Sequence, residues 1–218
     1  MRSMVSSMSS KLSPRLHSLI SLIEASRTTL WDIGCDHALL GLQAPEVCPW
    51  IKEVHLVDPS EAVFVNLKQL ITTHIPKASF TMNLHNKNGE NLTVSTANNV
   101  FVMAGMGGKT VMRILSHLKE VAGDHDQFII SPNRDILQVR AFLKENNWGL
   151  LGEALVEEEG LFYQQLSLTK MNTARSVSLY GEDFWQTPVG GRYKSHLVDK
   201  LSVHRDASTQ AFVRFLCS

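Results

Sequence analysis

The chain has 218 residues, 44% hydrophobic and 19% charged, which suits one packed α/β domain and excludes a largely disordered polymer. Lysine plus arginine and aspartate plus glutamate both number 21, which excludes a coat protein that holds nucleic acid by bulk charge. Without a long apolar run, a CxxC pair or a His/Cys cluster around Cys35, Cys48 and Cys217, neither a membrane span nor a disulfide framework nor a metal site is expected; a reducing cytoplasm is.

Residues 1–10, MRSMVSSMSS, have no apolar core of a signal peptide and read as a disordered tail. Ser13-Pro14 then looks like a helix cap with a first-turn proline, and Leu12, Leu16, Leu19, Ile20 and Ile23 predict an amphipathic helix over 13–25. A short strand follows over 28–33 and stops at Gly34; residues 36–47 suit a helix. Residues 53–58 alternate and stop at Pro59, a second strand. Val63, Leu67, Leu70 and Ile71 share one face of a helix over 60–74. Strands are expected over 79–84, 98–104 and 127–130, with helices over 110–121 and 134–146. The strand over 98–104 is apolar on both faces and belongs in the middle of a sheet. Residues 149–159 and 161–169 read as a hairpin turning at Gly160. Trp148 is expected in the core, and His55 and His74 are read as structural. Beyond 172 the pattern loosens; residues 171–218 form a short appendage, partly helical over about 192–215. Strands alternating with helices predict a mostly parallel, seven-stranded Rossmann-like sheet over 11–170, with helices on both faces and an antiparallel terminal hairpin.

The charge is uneven along the chain. Residues 1–30 carry four basic and one acidic residue, 31–165 ten and sixteen, and 166–218 seven and four. Beyond scatter of a few charges, this pattern suits a cation held centrally and a polyanion held at the flanks.

The chemistry concentrates at the predicted strand ends, where open α/β sheets bind ligands. The first end reads Asp32-Ile33-Gly34-Cys35-Asp36-His37. It has neither the GxGxxG nor the GxxxxGK[ST] pattern of a phosphate loop. Two carboxylates beside the turn would repel phosphate but suit the ammonium and sulfonium of S-adenosylmethionine (SAM). Asp58, followed by Pro59, ends the second strand, where a carboxylate accepts from ribose hydroxyls. Asn88-Gly89 after the third strand offers polar atoms to an adenine edge, or only to solvent. Ala104-Gly105-Met106-Gly107-Gly108 suggests close approach of backbone to a ligand or target base. Asn133 after the fifth strand carries both a donor and an acceptor. It suits reading a base edge or capping the next helix. His37 is a base, a partner for the target, or a plain loop residue.

The segments DIGCDHALL, MAGMGG and ISPN together resemble the bacterial tRNA adenine-N1-methyltransferases of the TrmK type. Leu12-Ser13-Pro14-Arg15-Leu16 resembles the family's opening LSxRL, and Glu157-Glu158-Glu159-Gly160 with Tyr163 its closing hairpin. The resemblance spans 11 to about 170. It implies a class I methyltransferase fold with SAM as donor, acting on N1 of adenine at position 22 in the tRNA D-arm. It implies that Asp32, Gly34, Cys35 and Asp36 line the methionine part of SAM. Asp58 and Pro59 would meet the ribose, and Ala104, Gly105 and Met106 would wall the reaction centre. His37, Gly105 and Asn133 are then the catalytic candidates. Cys35 replaces a small hydroxyl residue, Leu39 a tyrosine and Asn88 an acid of the family pattern. The family's long C-terminal helical hairpin has no sustained heptads to match it here. The alternatives are a methyltransferase for another RNA or a small molecule, and a SAM- or RNA-binding protein without catalysis.

Overall fold

A computed structural model describes residues 12–74, 79–171, 174–201 and 207–217. The tail expected over 1–10 lies outside the described residues. Helix α1 (Pro14–Ser21) opens as its residues dictate: the Ser13 side chain accepts from the Leu16 amide at 3.3 Å, and Pro14 takes the first turn. It ends earlier than the apolar spacing predicts. The Glu24 amide donates instead to Gln127 Oε1 (3.1 Å), whose amide group donates in turn to Leu22 O and Ser167 Oγ. A buried glutamine therefore holds this segment as a loop.

The strands are β1 (Thr29–Ile33), β2 (Glu53–Val57), β3 (Thr81–His85), β4 (Asn99–Ala104), β5 (Gln127–Ser131), β6 (Gly149–Glu158) and β7 (Leu161–Thr169). A two-residue strand β8 (Arg175–Ser176) adds an eighth to the seven expected. The order is β3-β2-β1-β4-β5-β7-β6-β8, parallel from β3 to β5 and antiparallel beyond. β1 lies at its centre between β2 and β4, buried along its whole length. Chain order reverses direction between β1 and β4, so this is the crevice where open α/β sheets take ligands.

Helices α2 (Leu39–Val47), α3 (Glu61–His74), α4 (Gly108–Val121) and α5 (Ile136–Glu145) connect the strands. One apolar cluster joins α1, α2 and α3 to one sheet face through Leu19, Ile20, Leu40, Leu67, Leu56 and Val102. A second joins α4 and α5 to the other face through Phe101, Ile114, Phe128 and Val139. Trp148 lies in that second core, as its composition predicts. His55 is buried as well, stacked on Trp31 at 3.8 Å between centroids, with its Nδ1 2.8 Å from His85 Nε2. The His74 side chain lies outside what is described.

The C-terminal residues continue into α6 (Pro188–Leu201) and α7 (Ala207–Cys217), two helices where the sequence suggests one. A buried ion pair ties this segment to the sheet. Arg140 Nη2 meets Glu153 Oε2 at 2.6 Å, with both side chains fully buried, and Arg140 Nη1 donates to Ser178 O at 2.9 Å. The remaining Arg140 Nε donates to Gln164 Oε1 at 2.8 Å. Every face of the guanidinium thus has a partner, the condition under which a buried charge is tolerated.

Candidate active site

The turn after β1 is shaped by three left-handed residues: Gly34 (φ 74°), Asp36 (φ 45°) and Ala38 (φ 54°). These delay α2 until Leu39, three residues later than expected. The Gly34 and Cys35 amides donate to Val57 O at 2.8 and 3.2 Å, clamping the turn to β2. A side chain at Gly34 would stand 2.7 Å from the Met106 methyl. Glycine is therefore required here both for its backbone conformation and for the loop after β4 to close over it.

Asp32 sits under this turn, 7% exposed, its Oδ2 accepting from the Gly41 amide at 2.9 Å. Burial pushes its carboxyl up to about 7; the Gly41 amide opposes that, and the nearby Asp58 charge adds to it. Burial and the same carboxylates raise the Cys35 thiol far out of reach of a thiolate, so Cys35 packs and does not act as a nucleophile. Asp58 extends β2 across the turn. Its Oδ2 accepts from the Asp36 amide at 3.3 Å and its Oδ1 from the Ser60 amide at 2.9 Å. His37 stands at the rim, its side chain 84% exposed and its Nε2 3.6 Å from Asp36 Oδ2. A pair so exposed contributes little to stability.

The opposite wall is the loop after β4. Gly105 has φ 79°, and its amide donates to Ser131 O at 3.2 Å. The Asn133 amide donates to Met106 O at 2.9 Å, and Asn133 Nδ2 donates to Gly105 O at 2.6 Å. Asn133 is thus welded to the glycine loop. It is not the cap of α5. That position is Asp135, left-handed at φ 64° and without a side-chain capping bond, and α5 starts at Ile136.

Between these walls lies a cavity of about 290 Å3. It gathers seven of the predicted residues: Asp32, Gly34, Cys35, Asp36, His37, Ala104 and Gly105. Asp58 and Met106 stand just behind its lining, joined to it through Asp36 and Gly34 respectively. Pro59 is exposed beyond Asp58, and Asn88 is exposed before a 3-10 turn over Gly89–Asn91. Gly89 is a packing position: a side chain there would stand 2.9 Å from Ile33 and Ile114.

Two charged lining residues, Arg15 and Glu158, were not singled out as site residues from sequence. Arg15 lies over the Tyr163 ring at 4.1 Å and donates through Nη2 to Asn133 Oδ1 at 3.1 Å. Its backbone is fixed by Gln165 Nε2 on Arg15 O (3.0 Å) and by Glu158 Oε1 on its amide (3.2 Å). Glu158 brings a third carboxylate to the lining, with Asp32 and Asp36. Arg15 and Tyr163 were visible as motif positions, but only the fold brings α1 and β7 to the same wall.

The comparisons with known proteins agree with this geometry. The family model described as a methyltransferase domain matches residues 12–166. A putative tRNA methyltransferase of Mycoplasma pneumoniae is 29% identical over 161 residues, 72% of this chain and 70% of that protein. The tRNA (adenine(22)-N(1))-methyltransferase of Bacillus subtilis is 25% identical over 158 residues, 72% of this chain and 64% of that protein. A putative tRNA (m1A22) methyltransferase of Streptococcus pneumoniae, solved in complex with S-adenosyl-L-methionine, superposes with a TM-score of 0.71 at 25% identity, over 88% of this chain and 90% of that one. With its parallel sheet, its acidic crevice at the β1/β4 switch point and a family match over most of its length, this chain belongs to the methyltransferase domain family.

Proposed function

We propose that this chain is a SAM-dependent tRNA methyltransferase that modifies N1 of adenine at position 22. The observation that carries the reading is the crevice itself. Three carboxylates line it, a fourth stands behind Asp36, and the Asn133 side-chain amide is welded to its glycine wall. The curated relatives of Mycoplasma pneumoniae and Bacillus subtilis are named as tRNA methyltransferases, the latter for adenine 22. The acidic lining fits SAM, which carries a sulfonium and an ammonium, and disfavours NAD or ATP, which carry phosphates.

When bound, SAM supplies an electrophilic methyl group. Asp32 and Asp36 face its cationic end, and Asp58 accepts from the ribose hydroxyls. The Gly34 turn brings backbone against it, and the Ala104–Met106 wall closes the opposite side. Adenine N1 carries a free lone pair, so no residue has to remove a proton before attack. The protein's task is alignment and exclusion of water. N1 lies on the Watson–Crick edge, so the base must leave its helix to enter the crevice. Asn133 presents its amide to that edge, held in one orientation by Arg15 and Gly105 O. His37 on the rim orients the incoming base.

No described helix is long and apolar enough to cross a membrane, and no metal-binding cluster occurs among the described residues. The deciding experiment is transfer of labelled methyl from SAM to unmodified tRNA transcripts, followed by nucleoside analysis. Label in 1-methyladenosine, abolished when the adenine at position 22 is replaced, is the expected result. Label in another nucleoside, or none, rejects the assignment.

A further inference from the structure

On the far side of the Arg15–Tyr163–Asn133 wall lies a second cavity of about 430 Å3. Its charge is opposite to that of the first. No aspartate or glutamate lines it, whereas Arg134, His196 and Lys200 do. Its aromatic side is built by Phe162, Tyr163 and Tyr193, with the Phe162 ring 5.1 Å from Tyr193 and 5.4 Å from His196.

Arg134 connects the two cavities. A side chain at Gly107 would stand 2.9 Å from Arg134 Nε, so the guanidinium lies against the glycine loop that walls the crevice. The Arg134 side chain is 80% exposed, with only a 3.8 Å approach to Asp135 to offset its charge. Of the acids at the hairpin turn, Glu157 pairs with Arg192 at 2.6 Å and Glu158 accepts from the Arg15 amide, while Glu159 is exposed at the turn and does not line the cavity.

We propose that this second cavity holds an unpaired nucleotide of the substrate RNA, adjacent in the chain to the methylated adenine. Its base packs against Phe162 and His196, and its phosphate meets Arg134 and Lys200. The inference rests on the tRNA reading above. Three observations carry it. Cations interleaved with aromatic rings, free of carboxylates, make the composition that grips unpaired RNA. The two cavities share one wall, through Arg15 over Tyr163 at 4.1 Å and Asn133 on Gly105 at 2.6 Å. A base drawn into the crevice must bring its neighbour to that wall, because flipping leaves the backbone continuous.

The test uses the full chain with Arg134→Ala, Lys200→Ala and both together. All are exposed positions whose loss spares the core. SAM affinity by calorimetry and tRNA affinity by filter binding are measured separately, so the binding result stands apart from turnover. The double variant is expected to weaken tRNA binding about tenfold with SAM affinity unchanged. The slope of log K against log salt should fall by about 0.7, the value for one phosphate of a single strand. Phe162→Leu should weaken tRNA binding without changing that slope. Wild-type tRNA affinity and slope in the double variant would overturn the proposal, as would an equal loss on fully paired RNA. If the wild-type chain transfers no methyl to tRNA, the functional reading fails, while filter binding still decides the cavity.

Discussion

With the cation of SAM placed beside Asp32, as proposed, cofactor binding should be a proton-linked event. The unliganded carboxyl is pushed up to about 7 by burial, so at pH 6 about nine in ten molecules carry it protonated. A cation bound beside it favours the ionised form. Binding should therefore release about 0.9 proton at pH 6 and about 0.1 at pH 8. The dissociation constant for SAM should fall about tenfold per pH unit up to pH 7 and level off above it. Asp32→Asn removes the charge but leaves an oxygen to accept from the Gly41 amide, so the packing of α2 on β1 survives. One charge pair at ~4 Å and an effective dielectric of ~20 is worth about 4 kcal/mol. Desolvation of the carboxylate offsets part of this, leaving about 2–3 kcal/mol, or roughly 30- to 150-fold in affinity at pH 7.5. Calorimetry in two buffers of different ionisation heat, between pH 5.5 and 7.5, counts the protons directly. Equal proton release by wild type and Asp32→Asn, or equal affinity, would refute the placement of a cation beside Asp32.

Other perturbations test other parts of the structure. Gly34→Ala forces a side chain into a left-handed turn and to within 2.7 Å of the Met106 methyl. It should cost about 1–2 kcal/mol in a denaturant melt and weaken SAM binding, and adding Met106→Ala should recover only the steric part. His37→Ala should lower kcat on tRNA about tenfold with SAM affinity unchanged, since the ring stands on the rim; full turnover would remove His37 from the reaction. Arg140→Met strands the Glu153 carboxylate in the core and should cost about 3–5 kcal/mol by urea melt, whereas the double change with Glu153→Leu should cost far less. His85 is lowered to about 4 and His55 is lowered too, burial being the largest cause in both. Below pH 6.5 the unfolded chain binds protons that these buried rings refuse, so stability should fall from pH 6.5 toward 4. His85→Asn should make that acid decline shallower in melts recorded across this window.

The fold was legible wherever period and punctuation agreed. Five strands ended at a glycine, a proline or a polar break, and each connecting helix carried an apolar face. The errors fall where long-range partners decide. α1 stops at Ser21 although Ile23 keeps the helical spacing, because Gln127, a hundred residues on, takes the Glu24 amide. The C-terminal residues read loosely because Gly181 and Gly190 interrupt their pattern. In the structure these glycines are packing requirements: side chains there would overlap Phe184. What holds the segment is Arg140, a residue that a helical reading of 134–146 places on a face without revealing its buried partner.

The site divides along the same physical line. Asp32, Gly34, Asp36 and Gly105 were legible because a strand end, a turn and a charge are local properties, and the crevice gathers all four. Asn133 was legible as a residue type with two readings, base edge or helix cap, and the structure removes the second, since the cap falls to Asp135. Arg15 could not be read at all from its own neighbourhood: its chemistry depends on Tyr163 and Asn133, 148 and 118 positions away. The acidic middle of the chain supplies the carboxylates of the crevice, while the basic flanks supply Arg15 to its wall and His196 and Lys200 to the cavity beyond, where Arg134 of the middle segment joins them. An enzyme that joins a cationic donor to a polyanionic acceptor has to keep these two fields apart. Here one arginine stacked on one tyrosine forms the partition between them.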